Sequence, residues 1–237
     1  MKSIEDICVI IQARLSSERL PRKMVKLFAG TNLVDIACKK ITKSKIIPKE
    51  NFYFSAYEDE IVNIVKKNNL QLYNRSKRSA YSEGPMQEVM EYHDKLNYKY
   101  LIAISACCPL LSIDTIDSFV KGYLKSSHDG MFSVIKKNTY YWDKAFEMIT
   151  PWPSGADVLN TKLVEPTYEA AHCLYAGRMD TIKDGIWMAK PPFTKNKPAL
   201  FEVPEGEVFD IDYQWQFEVA EALYLKNACL TLPILSI

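Results

Sequence analysis

An α/β fold with a mainly parallel, mixed sheet flanked by helices is predicted from three observations. Short apolar runs rich in β-branched residues alternate four times with stretches of helical period before residue 130. Such alternation builds parallel strands joined by helical crossovers. The first run, residues 6–12, breaks into a loop dense in cations, and in open α/β sheets ligands bind outside the carboxyl ends of strands. A last apolar run closes on Asp210 and Asp212, just ahead of a final helix. The 237 residues suffice for one domain, residues 1–237.

The elements follow in order. Residues 6–12 read as a buried strand. Leu33, Ile36, Ala37 and Ile41 recur at helical spacing, which predicts a helix over 31–43. Residues 51–56 form the next strand, and Ile61, Val62, Ile64 and Val65 stripe a second helix that ends near Asn68. A short strand, 70–73, feeds a second polar loop, 74–79, that carries Arg75. Met86, Val89, Met90 and His93 predict a third helix with His93 on its apolar face. The strand 99–104 runs into Ser105, Ala106, Cys107 and Cys108. Ile113, Ile116, Phe119, Val120 and Tyr123 then mark a helix capped by Ser112 or Asp114. From Asn138 the pattern changes. Residues 138–195 crowd Tyr140, Tyr141, Trp142, Trp152 and Trp187 among prolines, and read as an inserted segment packed on a substrate pocket or a second subunit. Strands over 198–203 and 207–212 and a helix bearing Trp215, Val219, Ala222 and Leu223 complete the chain.

Composition removes several function classes. Lys and Arg number 30 against 29 Asp and Glu, so no surface-wide field draws the chain to nucleic acid or an anionic membrane, and any anion site is local. No run approaches the roughly 18 apolar residues of a membrane span. Lys2, Glu5 and Asp6 begin the chain without a secretory pattern, and the six cysteines have no metal-type spacing. Reduced, buried thiols in a cytoplasmic protein are expected.

Two clusters carry chemistry. Arg14, Ser16, Ser17, Arg19, Arg22 and Lys23 surround Pro21, and four cations with two hydroxyls in so short a loop suit a polyanion such as a triphosphate. A solvated basic loop has the same composition; its place after the first strand favours the ligand. Asp210 and Asp212, two apart on a strand, point the same way and offer a bite for a hard divalent cation. One of them capping the last helix is the simpler alternative. Cations and a metal together are what transfer from a triphosphate needs. His172 reads either as a hydrogen-bonded structural residue or as a contact to an acceptor anion.

The stretch Gln12-Ala13-Arg14, Ser17, Arg19-Leu20-Pro21 and Lys23 resembles the signature loop of the acylneuraminate (CMP-sialic acid synthetase) type cytidylyltransferases, nearest the spore-coat-polysaccharide nucleotidyltransferase branch. Cys107-Cys108-Pro109-Leu110 and Phe209-Asp210-Ile211-Asp212 agree in order, so the resemblance spans residues 7–224. It implies a Rossmann-like, GT-A-like nucleotidyltransferase fold. It also implies Mg²⁺, CTP, and attack of a small anionic acceptor, a sugar acid or phosphonate, on the CTP α-phosphorus with release of pyrophosphate. By the match, Arg14, Arg19 and Lys23 grip the triphosphate beside Gln12, Ala13, Ser16 and Ser17. Arg14, Lys23 and Asp212 would be catalytic, and Asp210 and Asp212 would hold the metal. Ser105, Ala106, Cys107 and Cys108, with Arg75, would flank base and ribose. Tyr168, Glu169, His172 and Tyr175 would meet the acceptor, in a homodimer.

The chain also departs from that pattern. Glu18 and Met24 replace a usual Lys and Asn, and Glu18 is expected to turn outward and pair with Arg22 or Lys23. Cys107 stands where the spore-coat branch tends to have Asp. Glu169 replaces an arginine that would bind the carboxylate of sialic acid, which argues against that acceptor and suits one bearing hydroxyl or amine groups. Two other readings remain: a metal-dependent nucleotide-sugar glycosyltransferase and a non-catalytic nucleotide-binding homologue. The late position of Asp210 and Asp212 disfavours the first, and retention of Lys23 with both aspartates disfavours the second.

Overall fold

The strand β1 (Ile7–Gln12) runs through the centre of the molecule. Ile7, Val9 and Ile11 turn to one face and Cys8 and Ile10 to the other, and all five are at most 2% exposed. Apolar side chains on both faces mark a strand in the middle of a covered sheet. The computed structural model describes residues 2–189 and 197–230, the side chains of 228–230 excepted.

After β1 come α1 (Leu33–Ile41), β2 (Phe52–Ala56), α2 (Asp59–Lys67), β3 (Leu72–Asn74), and two short helices, α3 (Lys77–Tyr81) and α4 (Met86–Val89). Then follow β4 (Tyr100–Ser105), α5 (Ile113–Lys125), β5 (Met131–Lys137), β6 (Thr167–Arg178), β7 (Ala199–Glu202) and α6 (Gln214–Leu230). The sheet runs β3-β2-β1-β4-β6-β5-β7. The first four strands are parallel; β6 is antiparallel to both β4 and β5, and β7 runs parallel to β5. Short polar side chains take up free N–H groups where α1 and α5 begin. Asn32 accepts from Asp35 N at 2.9 Å to open α1, and Ser112, rather than Asp114, accepts from Thr115 N at 3.1 Å to open α5.

One face of the sheet packs Leu33, Ile61, Phe119 and Phe217 from α1, α2, α5 and α6 into the main core. The other face is thinner: Cys8, Ile10 and Leu101 pack on Tyr92, Met179 and Ile182. Phe119 is fully buried, and its replacement by alanine would cost about 3–5 kcal/mol.

Several expectations are corrected. Residues 131–137, which the sequence pattern left without an element, form β5. Ser133 interrupts the apolar run, yet it is buried and bonded to Leu174 on both sides, donating to its carbonyl at 3.1 Å and accepting from its N–H at 3.0 Å. Residues 138–195 divide. An arm covers 138–166, bridged once between Trp142 and Met148, whereas β6 lies inside the sheet; residues 190–195 fall outside those described. A register shift between Phe132 and Val134, opposite His172 at φ +52°, masks the strand's alternation.

Residues 207–212 form no strand. A 3-10 turn at Glu205–Glu207 leads into an irregular segment tied to β4's end by Ile211 N–H donating to the Cys107 carbonyl at 3.1 Å. The third helix ends at Val89 before a 3-10 turn, Glu91–Asp94, and Tyr92, not His93, enters the core. Among the described side chains of α6 the buried ones are Phe217 and Ala220, while Trp215, Val219 and Leu223 face outward. Among the described residues no helix is long and apolar enough to cross a membrane, and Cys8, Cys38, Cys107, Cys108 and Cys173 are free thiols.

Candidate active site

The loop after β1 is shaped by backbone bonds rather than by its charges. Ala13 N–H extends the sheet to the Ser55 carbonyl at 3.2 Å. Leu15 N–H is accepted by Glu58 Oε1 at 3.0 Å, and the Leu15 carbonyl takes Ser17 N–H at 2.9 Å and Arg22 N–H at 3.2 Å. Leu20, Met24 and Phe28 anchor the return in the core. Arg22 sits at φ +58°, a left-handed conformation that turns it away to pair with Glu60 at 2.5 Å. Arg14, Arg19 and Lys23 are left facing one cleft of about 690 Å³ at the carboxyl ends of β1 and β4.

Lys23 stands at the cleft's base, 8% exposed. Its Nζ donates to the Ile211 carbonyl and lies 3.1 Å from Asp212 Oδ1. Burial alone would lower its pKa, but neighbouring Cys107, Asp212 and Asp210 outweigh that and raise it, so the ammonium stays charged. Arg19 Nη2 reaches the other oxygen, Oδ2, at 2.8 Å. Burial and then the Asp212 charge push the Asp210 carboxyl up, against Lys23, His172 and Arg19. Burial also pushes the Cys107 thiol up, with Lys23 opposing, and its Sγ lies 3.9 Å from Met24 Sδ.

Across the cleft, Arg75 is buried and fixed. It donates to Ser79 Oγ at 3.1 Å and to the Ser79 carbonyl, and Gln12, with its amide oxygen turned toward it, accepts from both Nη atoms at 2.9 Å. Arg14 pairs with Glu83 at 3.3 Å at the rim. Glu83, Ser82, Ala80 and Val89, from α3, α4 and their connection, line this side and escaped the sequence reading. Their available signal was position: they follow β3, whose carboxyl end opens on the same edge as β1.

Other assigned residues lie elsewhere. Gln12, Ala13 and Ser17 line the cleft, but Ser16 does not; its buried Oγ has no partner among the described residues. Of the four residues 105–108 only Cys107 lines it. Ser105, Ala106 and Cys108 face a small enclosed space under α1 instead, where Lys40 donates to the Cys108 and Pro109 carbonyls at 3.1 Å each. Glu18 is exposed on the cleft rim, while Arg22 and Lys23 pair with Glu60 and Asp212. None of Tyr168, Glu169, His172 or Tyr175 lines the cleft. Glu169 Oε2 lies 3.7 Å from Lys137 Nζ, and Tyr168 is exposed. His172 Nδ1 lies 2.7 Å from the Tyr175 hydroxyl, on the Asp210 side: burial and then the Asp210 charge push that hydroxyl up, and His172 opposes the rise of the Asp210 carboxyl.

Chemically, the cleft offers Arg14, Arg19, Lys23 and Arg75 to an extended polyanion, with Asp212 among its lining carboxylates, whereas Asp210 does not line it. Among the described residues no group of three or more His, Cys, Asp or Glu side chains could hold a metal by itself. Two carboxylates do suit a cation that arrives with phosphate and water ligands of its own.

Comparison with known proteins fits this site. The 3-deoxy-manno-octulosonate cytidylyltransferase of Rickettsia felis is 23% identical over 133 residues, 56% of this chain, and that match spans only 53% of the relative's length. The pseudaminic acid cytidylyltransferase of Campylobacter jejuni is 22% identical over 236 residues, covering 94% of this chain and 98% of that protein. The fold is shared with CMP:2-keto-3-deoxy-manno-octonic acid synthetase complexed with CTP, at TM-score 0.66 and 13% identity over 94% of this chain and 99% of the other. It is also shared with 4-diphosphocytidyl-2C-methyl-D-erythritol synthase from Anaerococcus prevotii, at TM-score 0.63 and 16% identity over 93% and 96%. Residues 8–230, nearly the whole chain and every cleft residue named above, match the cytidylyltransferase family model, and the chain belongs to that family.

Proposed function

We propose that this protein transfers CMP from CTP to a sugar acid and releases pyrophosphate, in the biosynthesis of a cell-surface glycan. The convergence of Arg14, Arg19 and Lys23 on one cleft, in a chain of this family, carries the reading. An acceptor hydroxyl oxygen bonds to the α-phosphorus and its proton passes to solvent, the bond from that phosphorus to the α–β bridging oxygen breaks, and pyrophosphate leaves with the electron pair. Arg14, Arg19 and Lys23 hold the triphosphate in line and offset the charge that builds on its oxygens, a role worth about 10²–10³ in rate per donor. Asp210 and Asp212 are the residues that would hold Mg²⁺, which would neutralise phosphate charge. Arg75, Ala80 and Val89 offer the base and ribose side of the cleft.

The acceptor is assigned to the Asp210 side, beside His172 and Tyr175. The named relatives act on 3-deoxy-manno-octulosonate and pseudaminic acid, both sugar acids, which supports that acceptor class over a phosphonate. The arm 138–166 exposes Trp142, Phe146 (88% exposed), Ile149 and Val158, and this supports a homodimer. The free thiols support a cytoplasmic setting.

Pyrophosphate release with CTP, Mg²⁺ and each of these two sugar acids tests the assignment. Release with at least one acid is expected. Turnover of a nucleoside diphosphate sugar, with no release from CTP, would overturn it.

A further inference from the structure

Asp212 has a cation on each oxygen. Lys23 Nζ lies 3.1 Å from Oδ1 and Arg19 Nη2 2.8 Å from Oδ2, and the side chain is only 21% exposed. Lys23 is pinned further by the Ile211 carbonyl, and the Arg19 guanidinium rests 5.7 Å over the Tyr213 ring. Asp210, the next residue but one, feels the same cations only at longer range. Charge-assisted pairs of this kind are among the stronger polar contacts. A carboxylate saturated by two cations is a poor metal ligand, and cations seated on a carboxylate are not free to grip phosphate. The two tasks assigned to this cleft therefore compete for the same atoms.

We propose that Asp212 is an exchangeable counter-ion that makes metal and triphosphate binding conditional on each other. It holds Lys23 and Arg19 until a triphosphate arrives with its cation. It then yields both side chains to the phosphates and turns its own oxygens to the metal. The inference rests on the cytidylyltransferase reading and narrows it: the ligand admitted is the metal–triphosphate complex. Metal-free triphosphate has to break two ion pairs while leaving Asp212 uncompensated against its own charge. Metal alone has to drive two cations into the cleft with nothing there to receive them. By linkage, each partner raises the affinity for the other by one and the same factor. Lys23, the more buried cation, carries the larger share, because water screens the pair made by the more exposed Arg19.

Calorimetric titration of CTP in EDTA and in Mg²⁺ tests this on the native protein and on Asp212→Asn and Asp210→Asn. The native protein should bind CTP about tenfold or more tighter with Mg²⁺ than without. Asp212→Asn should bind metal-free CTP about tenfold tighter than the native protein and lose most of the Mg²⁺ gain. Asp210→Asn removes the same charge without releasing either cation, so its gain in EDTA should be clearly smaller. Equal gains in both variants would reduce the effect to simple repulsion and overturn the proposal, as would native binding indifferent to Mg²⁺. An independent arm uses Arg19→Gln, which frees one Asp212 oxygen and should bind Mg²⁺ alone more tightly; unchanged Mg²⁺ affinity would overturn the proposal too. CTP bound by no form, even with Mg²⁺, would remove the cytidylyltransferase reading itself and the counter-ion role with it.

Discussion

Replacing Lys23 with methionine deletes one charge while keeping most of the buried stem. The ammonium it removes holds Asp212 Oδ1 and the Ile211 carbonyl from the base of the cleft. Asp212 keeps Arg19 on its other oxygen, so the loss is of one partner rather than both. Leaving a half-buried group short of a partner costs about 1–3 kcal/mol. Keeping an ammonium at 8% exposure is itself unfavourable, so the net falls toward the low end. In a domain of this size each kcal/mol moves the melting temperature by about 2–4 °C, which puts the expected shift at a few degrees. Turnover should respond far more. A preorganised donor aimed at transferring phosphate contributes about 2.7–4 kcal/mol, or 10²–10³ in rate. Pyrophosphate release at saturating CTP and Mg²⁺, measured beside a thermal melt, separates the two. A variant that melts slightly earlier but turns over at the native rate would refute the assignment of this loop to the triphosphate.

Three further outcomes are expected. Asp212→Asn should end Mg²⁺-dependent pyrophosphate release, and an unchanged rate would remove Asp212 from the reaction. The native protein should sediment as a dimer and the double variant Trp142→Ser, Phe146→Ser as a monomer; a monomeric native protein would contradict the role given to the arm. Stability should fall on the alkaline side. Burial pushes the Cys38 thiol from 9.0 up to about 12 and the Tyr73 hydroxyl from 10.0 up to about 12, so above about pH 9 the unfolded chain loses protons that the folded one keeps. Lys40 opposes this. Burial lowers it to about 8, and between there and 10.5 the unfolded chain holds the extra proton, but one lysine is outweighed by several buried thiols and phenols. A melting temperature that rose from pH 8 to pH 10.5 would contradict this balance.

The sequence revealed the basic loop because both residue type and position are local facts: cations, a proline, and a strand just before them. It did not reveal Arg22's departure, which depends on a left-handed turn set by bonds to Leu15. The spacing of Asp210 and Asp212 was legible, but no strand carries them, and only Asp212 lines the cleft, while Asp210 feels its charge from nearby. Beyond Ser105 the period of β4 ends, so which of the next residues meets the cleft is decided by the loop and by Lys40 beneath it. β5 and β6 were hidden by polar and bulged positions, Ser133 and His172, whose satisfaction is tertiary. Glu83 and Glu58 reach the loop from distant elements, and nothing in their own neighbourhoods announces it.

Thermal stabilisation by each of the four nucleoside triphosphates in the presence of Mg²⁺ tests the central claim most directly. CTP alone should raise the melting temperature, fixing the donor of the transferred nucleotide. Stabilisation by a nucleoside diphosphate sugar, with none by CTP, would contradict the account.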